Sequence, residues 1–144
     1  MKSMSNRTSG TRFEDEFAKK LYEHGFWAHV MQQKKDGQPA DIVAIKGRFH
    51  TLIDCKEIST NKGFQFEREE ENQRLAMELF KKRCDELCYF ALKLPTGEIR
   101  MVSYQRLKQL TSSGYKSITP RMMESTTWPL DSWFDATDAW AEDK

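Results

Sequence analysis

The sequence predicts an α/β fold, a mixed β-sheet flanked by helices on both faces, and three observations lead there. Two short runs rich in apolar and β-branched residues, Ala40 to Ile45 and Phe49 to Glu57, flank Gly47-Arg48, and a Gly-X pair suits a two-residue type II′ hairpin turn. Both faces of that hairpin are largely apolar, with Val43, Ile45 and Leu52 on one and Ile42, Ala44 and Ile53 on the other, which implies cover from both sides. Stretches with apolar residues at helical spacing precede and follow the hairpin.

In chain order, Met1 to Ser9 is polar without periodicity and reads as a loose arm. Phe13, Phe17, Ala18, Leu21 and Tyr22 then recur at helical spacing until Gly25, a natural helix stop. Phe26 to Met31 reads as a strand and Gln32 to Gln38 as a polar turn ending at Pro39. After a loop from Ser59 to Gly63, Phe64 to Arg83 reads as a helix with Leu75, Ala76, Leu79 and Phe80 buried. Its acidic first turns, Glu67 and Glu69 to Glu71, suit the positive helix end. Leu87 to Leu94 and Glu98 to Ser103, joined by Pro95-Thr96-Gly97, make a second hairpin, and Tyr104 to Leu110 a short helix closing the sheet edge. Beyond Gly114 periodicity fades. Residues 1–122 are therefore expected to form the domain, with 1–9 as its arm, and residues 123–144 an acidic tail carrying Trp128, Trp133, Phe134 and Trp140. Packing back onto the domain is the expected role of those indoles, ahead of docking on a partner protein or lying over a basic site as a DNA mimic.

A chain of 144 residues, 38% hydrophobic and 31% charged, suits one domain with a real core. It has neither a bilayer-spanning apolar run nor a signal peptide at Met1 to Gly10, so a cytoplasmic protein is expected. Cys55, Cys84 and Cys88 lack zinc-type spacing and are expected as reduced, buried thiols. His24, His29 and His50 form no ligand pair, and His50 is expected as a partly buried structural residue. Net charge is only +1, but through Met122 there are 22 basic against 16 acidic residues, and from Met123 on one lysine against six acids. Within this basic body Lys34, Lys35, Arg48, Lys62 and Arg68 fall in or beside loops near the hairpin, as candidate DNA phosphate contacts.

The turn also sets the chemistry. With Lys46 facing Phe49, the register puts Ile45 opposite His50, Val43 opposite Leu52 and Asp41 opposite Asp54. Like charges placed there destabilise a sheet, so something must offset them. Lys56 shares their face, while Cys55 and Glu57 point to the other. Mg²⁺ is typically held by one or two carboxylates plus substrate phosphate, and a lysine beside them can orient water or stabilise charge on phosphorus. Asp41, Asp54 and Lys56 together point to phosphodiester hydrolysis. Glu14, on the flank of the first helix, has two open readings: a residue leaning over this site, or the return partner of a Thr11 capping box.

Pro39-Ala40-Asp41, twelve residues, then Asp54-Cys55-Lys56 resembles the signature of the PD-(D/E)XK nuclease superfamily. More narrowly, Gly10 through Phe90 resembles the Holliday junction resolvases of archaea and the RecU-type resolvases of bacteria and phages, in Gly10-Thr-Arg-Phe-Glu14-Asp-Glu16, in Gly25-Phe26-Trp27-Ala28, in the hairpin and in a following helix containing Gln73. The resemblance implies a restriction-endonuclease-like core. It further implies a Mg²⁺-dependent endonuclease (Mn²⁺ substituting) whose metal is held by Asp41, Asp54, the Cys55 backbone carbonyl and Glu14, with Lys56 aligning the water and Gln73 positioning the site. Branched DNA, a four-way junction, is the implied substrate and a homodimer the implied assembly. Two departures stand out: Asp54 occupies a place more often held by glutamate, and the short Gln32 to Gln38 connection leaves little room for the protruding arm of the bacterial enzymes. Other functions consistent with these residues are a nuclease acting on flaps, ends or duplex DNA, and a non-catalytic DNA-binding adaptor.

Overall fold

The structure, a computed structural model, describes residues 8–32, 40–58 and 62–142, with side chains from residue 13 on. Helix α1 (Thr8–Glu23) leads into strand β1 (Trp27–Val30), which pairs antiparallel with β2 (Ile42–Lys46). Strand β2 turns into β3 (Phe49–Glu57) with Lys46 opposite Phe49, Ile45 opposite His50 and Val43 opposite Leu52, the register expected from the turn. Gly47 has φ +56, while Asp85 is the only non-glycine with positive φ among the described residues. The turn is therefore left-handed at its first central position alone, as type II′ requires. A Cβ on Gly47 would also lie 2.8 Å from the Ala141 carbonyl oxygen.

After β3 come the short strand β4 (Phe64–Gln65), a 3₁₀ turn (Phe66–Arg68) and helix α2 (Glu71–Cys84). Helix α2 is the crossover that brings β5 (Tyr89–Lys93) parallel to β3. Strand β6 (Ile99–Ser103) returns antiparallel as the second hairpin. Helix α3 (Tyr104–Ser112), strand β7 (Ser117–Ile118), helix α4 (Pro120–Thr126), strand β8 (Trp128–Pro129) and helix α5 (Leu130–Glu142) complete the chain. The main sheet has six strands in the order β1-β2-β3-β5-β6-β8, and β4 pairs with β7 in a separate two-stranded sheet.

One core lies on each face. Phe13, Phe17 and Leu21 of α1 pack with Ile42, Ile53, Met101 and Trp133 on one side. On the other, Leu52, Phe90 and Leu92 pack with Met77 of α2, Leu107 of α3 and Ile118. The helices on both faces that the apolar hairpin required are thus present.

Several expectations are corrected. Thr8 and Ser9 already belong to α1, so Thr11 lies inside the helix and cannot open a capping box. Tyr22 is exposed, although its hydroxyl donates to the Ala28 carbonyl (2.7 Å). The helix read from Phe64 starts only at Glu71, because Phe64 and Gln65 are drawn into pairing with Ile118 and Ser117. Only Glu71 is then left in its first turn. Its buried face carries Gln73 and Met77, with Ala76 and Phe80 half-buried, whereas Leu75 and Leu79 are 58% and 54% exposed. Ile45 is also exposed. Strand β8, not the helix after Tyr104, borders β6. Cys84 is exposed, Cys55 half-buried and Cys88 buried, all three free.

The segment from Met123 on is not separate from the core. Met123 sits in one core cluster and Trp133 and Phe134 in the other. Trp133 is fully buried, stacked on Phe26 at 5.8 Å and edge-on to Tyr89 at 5.3 Å. Trp133, and half-buried Trp140 beside it, pack back onto the domain, whereas Trp128 is 41% exposed. Trp133→Ala is expected to cost about 3–5 kcal/mol, read as a lowered urea midpoint; unchanged stability would contradict this placement.

Candidate active site

The two aspartates meet because the hairpin register runs on past its last ladder pair, Ile42 with Ile53. The Asp41 amide donates to the Ile53 carbonyl (3.1 Å), leaving Asp41 beside Asp54, and the two carboxyls lie within hydrogen-bonding reach of each other. Asp41 is 6% exposed and Asp54 fully buried. Each is held by a named donor. The Cys55 amide donates to Asp41 Oδ2 (2.7 Å), and Gln73 Nε2, on the buried face of α2, donates to Asp54 Oδ1 (2.6 Å).

Lys56 follows Asp54 by two residues and points to the same face. Its Nζ lies 3.0 Å from Asp54 Oδ2 and donates to the Arg68 carbonyl (3.2 Å), with a side chain only 11% exposed. The 3₁₀ turn therefore fixes the ammonium, and the Arg68 guanidinium returns to the Glu57 carbonyl (3.1 Å). Sequence reasoning marked Arg68 only as a DNA contact, because a backbone carbonyl leaves no sequence signal. Glu14 arrives from α1, buried, with its carboxyl on Asp41. Lys93 Nζ to Glu16 Oε1 (2.7 Å) ties that helix to β5.

Burial, then the charge and hydrogen bond of Asp41, push the Glu14 pKa from 4.5 up to about 8. Burial also holds Asp54 well above the usual carboxylate range; Asp41 adds to this, and Lys56 opposes it without winning. The Cys55 thiol is raised by burial first and by its acidic neighbours next, which makes it a poor nucleophile.

A divalent cation was expected here, and one buried atom tests the fit. Asp54 Oδ2 has no hydrogen-bond donor, its contact with Lys56 being an ion pair rather than an aligned hydrogen bond. A buried carboxylate oxygen left so, beside a second carboxylate, fits a hard cation that takes oxygen ligands. Among the described residues no three His, Cys, Asp or Glu side chains are grouped around one ion position. Glu14 and Asp54 each reach Asp41, so the carboxylates brought together here centre on the two aspartates.

The basic candidates are not all gathered. Arg68 stands beside Lys56. Lys62 lies in the turn before β4, its carbonyl accepting from Gln65 Nε2 (3.2 Å). Arg48 is at the opposite end of the hairpin, roughly 20 Å along the strands from Asp54 at about 3.3 Å per residue, where its amide donates to the Ala141 carbonyl (3.0 Å). Lys34 and Lys35 lie outside the described residues. His50 is a packing residue, edge-on to Phe80 at 5.9 Å.

The solved structure of Archaeoglobus fulgidus Hjc, a Holliday junction resolvase from an archaeal hyperthermophile, is similar with a TM-score of 0.67 and 23% identity. The likeness covers 87% of this chain and 99% of that one, and shows the shared restriction-endonuclease-like fold. No curated protein sequence matches the chain. Among the described residues no helix is long and apolar enough to cross a membrane. The family model of the archaeal Holliday junction resolvase (Hjc) matches residues 5–136, and the chain therefore belongs to that family of metal-dependent DNA endonucleases.

Proposed function

We propose that the protein is a Mg²⁺-dependent resolvase, with Mn²⁺ able to substitute, that cuts four-way DNA junctions as a homodimer in the cytoplasm. The observation that supports this best is the buried Asp54 carboxylate, held by Gln73, short of one donor, and set between Asp41 and Lys56. Asp41, Asp54 and the Cys55 carbonyl are the groups that would hold the cation, with Glu14 joining through Asp41. Bound there, such an ion would act as a Lewis acid toward the phosphoryl group.

The chain's own residues do the rest. Gln73 and the Cys55 amide fix the two carboxylates before substrate arrives, so little reorganisation is needed at the moment of reaction. Lys56, steadied by Asp54 and the Arg68 carbonyl, presents an ammonium that orients the attacking water and stabilises charge developing on phosphorus. Arg68, Lys62, Lys34, Lys35 and Arg48 are assigned to phosphate contacts, with Arg68 nearest the chemistry and Arg48 on a distant part of a branched substrate. Two symmetric nicks in a four-way junction require two active sites, which a two-fold assembly supplies.

Three outcomes are expected. With a labelled four-way junction, Mg²⁺ supports cutting and EDTA abolishes it; Asp54→Asn lowers the rate at least about 10³-fold with junction binding retained, and wild-type-like cutting by that variant would rule out the site. Lys56→Met lowers kcat by about 10²–10³-fold, a loss of transition-state stabilisation, read in single-turnover cutting. The third concerns pH. Glu14 and Asp54 bind their protons more tightly folded than unfolded. Stability linked to Glu14 is thus fully present below 4.5 and lost as pH rises through about 8. Thermal melts in EDTA are expected to fall between pH 5 and pH 8.5, Glu14 accounting for a loss on the order of a few kcal/mol, and Glu14→Gln to shrink the fall. A fall of the same size in the variant would exclude Glu14 as its source.

A further inference from the structure

Between helices α2 and α3 lies a cavity of about 310 Å³ that the reaction above does not use, at the lower end of the range for small-ligand sites. Phe66, Tyr104 and Leu107 supply its aromatic and aliphatic walls, and Glu69, Arg74 and Glu78 line it with charge. The two acids differ. Glu78 accepts from the Tyr104 hydroxyl (2.7 Å) and meets Lys108 Nζ at 3.4 Å. Glu69 accepts no hydrogen bond among the described residues, although its side chain is only 10% exposed, and Arg74 comes no closer to it than 3.8 Å, beyond hydrogen-bond length. Burial raises the Glu69 pKa, with Arg74 and then Lys56 opposing. A carboxyl so withdrawn from water and so poorly supplied with donors is short of a partner.

The cavity adjoins the chemistry. Arg68, whose carbonyl holds the Lys56 ammonium, directly precedes Glu69, a step of about 3.8 Å along the chain. A strand with its phosphate on Lys56 therefore carries a neighbouring base past the cavity. The groups inside select which base. Stacking on aromatic walls tolerates any of the four, so the hydrogen-bonding edge decides. A carboxylate accepts two parallel N–H bonds. Among the DNA bases only guanine sets two donors side by side, N1–H and the N2 amino group, with an acceptor, O6, next to them for Arg74. Cytosine and adenine place a bare ring nitrogen beside their amino group, where it would face the second carboxylate oxygen. Thymine flanks its one N–H with two carbonyls.

We propose that this cavity receives a guanine unstacked from the strand being cut, with Glu69 on its N1–H and N2 amino edge and Arg74 on O6. The proposal rests on the nuclease reading above and deepens it by giving the site a base preference. Extruding a base costs least where pairing is already weak, as at the branch point of a junction.

The test is cutting, in Mg²⁺, of four-way junctions randomised at the bases flanking the cut, with the cut ends sequenced. Wild type is expected to enrich guanine about tenfold at one fixed position. Hypoxanthine there, which keeps O6 and N1–H but lacks the N2 amino group, is expected to lose most of that gain. Glu69→Gln is expected to abolish the enrichment while junctions without guanine are cut as by wild type. Cutting without base preference, or a fall in the Glu69→Gln variant that is equal for every base, overturns the proposal; the latter would make Glu69 a support for Lys56 alone. A second arm needs no cutting: without metal, a short oligothymidine carrying one guanine is expected to bind wild type several-fold tighter than plain oligothymidine, by fluorescence anisotropy, and Glu69→Gln to erase the difference. Guanosine monophosphate that binds as tightly as the oligonucleotide, with no preference in cutting, overturns the proposal in favour of a free nucleotide. Failure of the nuclease reading would appear separately, as junctions left uncut by wild type while the second arm still reports on the cavity.

Discussion

A carboxylate removed wholly from water beside another carboxylate is the constraint on which this molecule turns. Asp54 has no exposure, and isolating such a charge would cost several kcal/mol. Lys56 at 3.0 Å and Gln73 at 2.6 Å offset part of that cost, yet one oxygen remains without a donor. Proton binding is the response of the metal-free protein, which is why burial raises the Asp54 and Glu14 pKa values together. The instability is local, and it is what a cation would relieve.

Holding that arrangement takes elements from both layers of the molecule. The hairpin supplies Asp41 and Asp54 and fixes their register through one glycine turn. Helix α1, from one face, delivers Glu14; helix α2, from the other, delivers Gln73. The 3₁₀ turn between β4 and α2 contributes a backbone carbonyl, a second hold on the Lys56 ammonium beside Asp54. This turn is in turn anchored by the pairing of Phe64 with Ile118, and Gly63 before it passes so close that a Cβ would lie 2.1 Å from the Ile118 carbonyl oxygen. A residue distant in sequence thereby reaches the site through packing alone.

What could be read from the chain, and what could not, follows from the range of each signal. Turn chemistry and strand alternation act over a few residues, so the hairpin register, and with it the meeting of Asp41 and Asp54, was legible from Gly47 and the flanking pattern. Gln73 and Glu14 came from family resemblance, since spacing alone left each ambiguous. Leu75 and Leu79 were misassigned because helical periodicity identifies a stripe without saying whether it faces the core or solvent; here Met77 and Gln73 took the inner face. The strand at Phe64 and the strand and helix after Pro120 depend on pairing partners more than fifty residues away for β4 and more than twenty-five for β8. No local pattern announces such partners.

The near-zero net charge conceals an asymmetry that follows from the same packing. Helix α5 buries Trp133 and Phe134 on one side and turns Asp131, Asp135, Asp138 and Glu142 outward on the other. It lies on the sheet face opposite α2, and Asp138 pairs with Lys46 at the hairpin tip. That pair removes one cation from the basic body, at the end of the sheet farthest from Asp54, and Arg48 is drawn toward the end of the same acidic helix. A polyanion is therefore repelled from the α5 face, while Arg68 and Lys56 remain beside the paired aspartates. Fields of this kind orient an approaching partner over about a Debye length. Part of the acid that brings the net charge down to +1 is thus gathered on the α5 face, opposite α2.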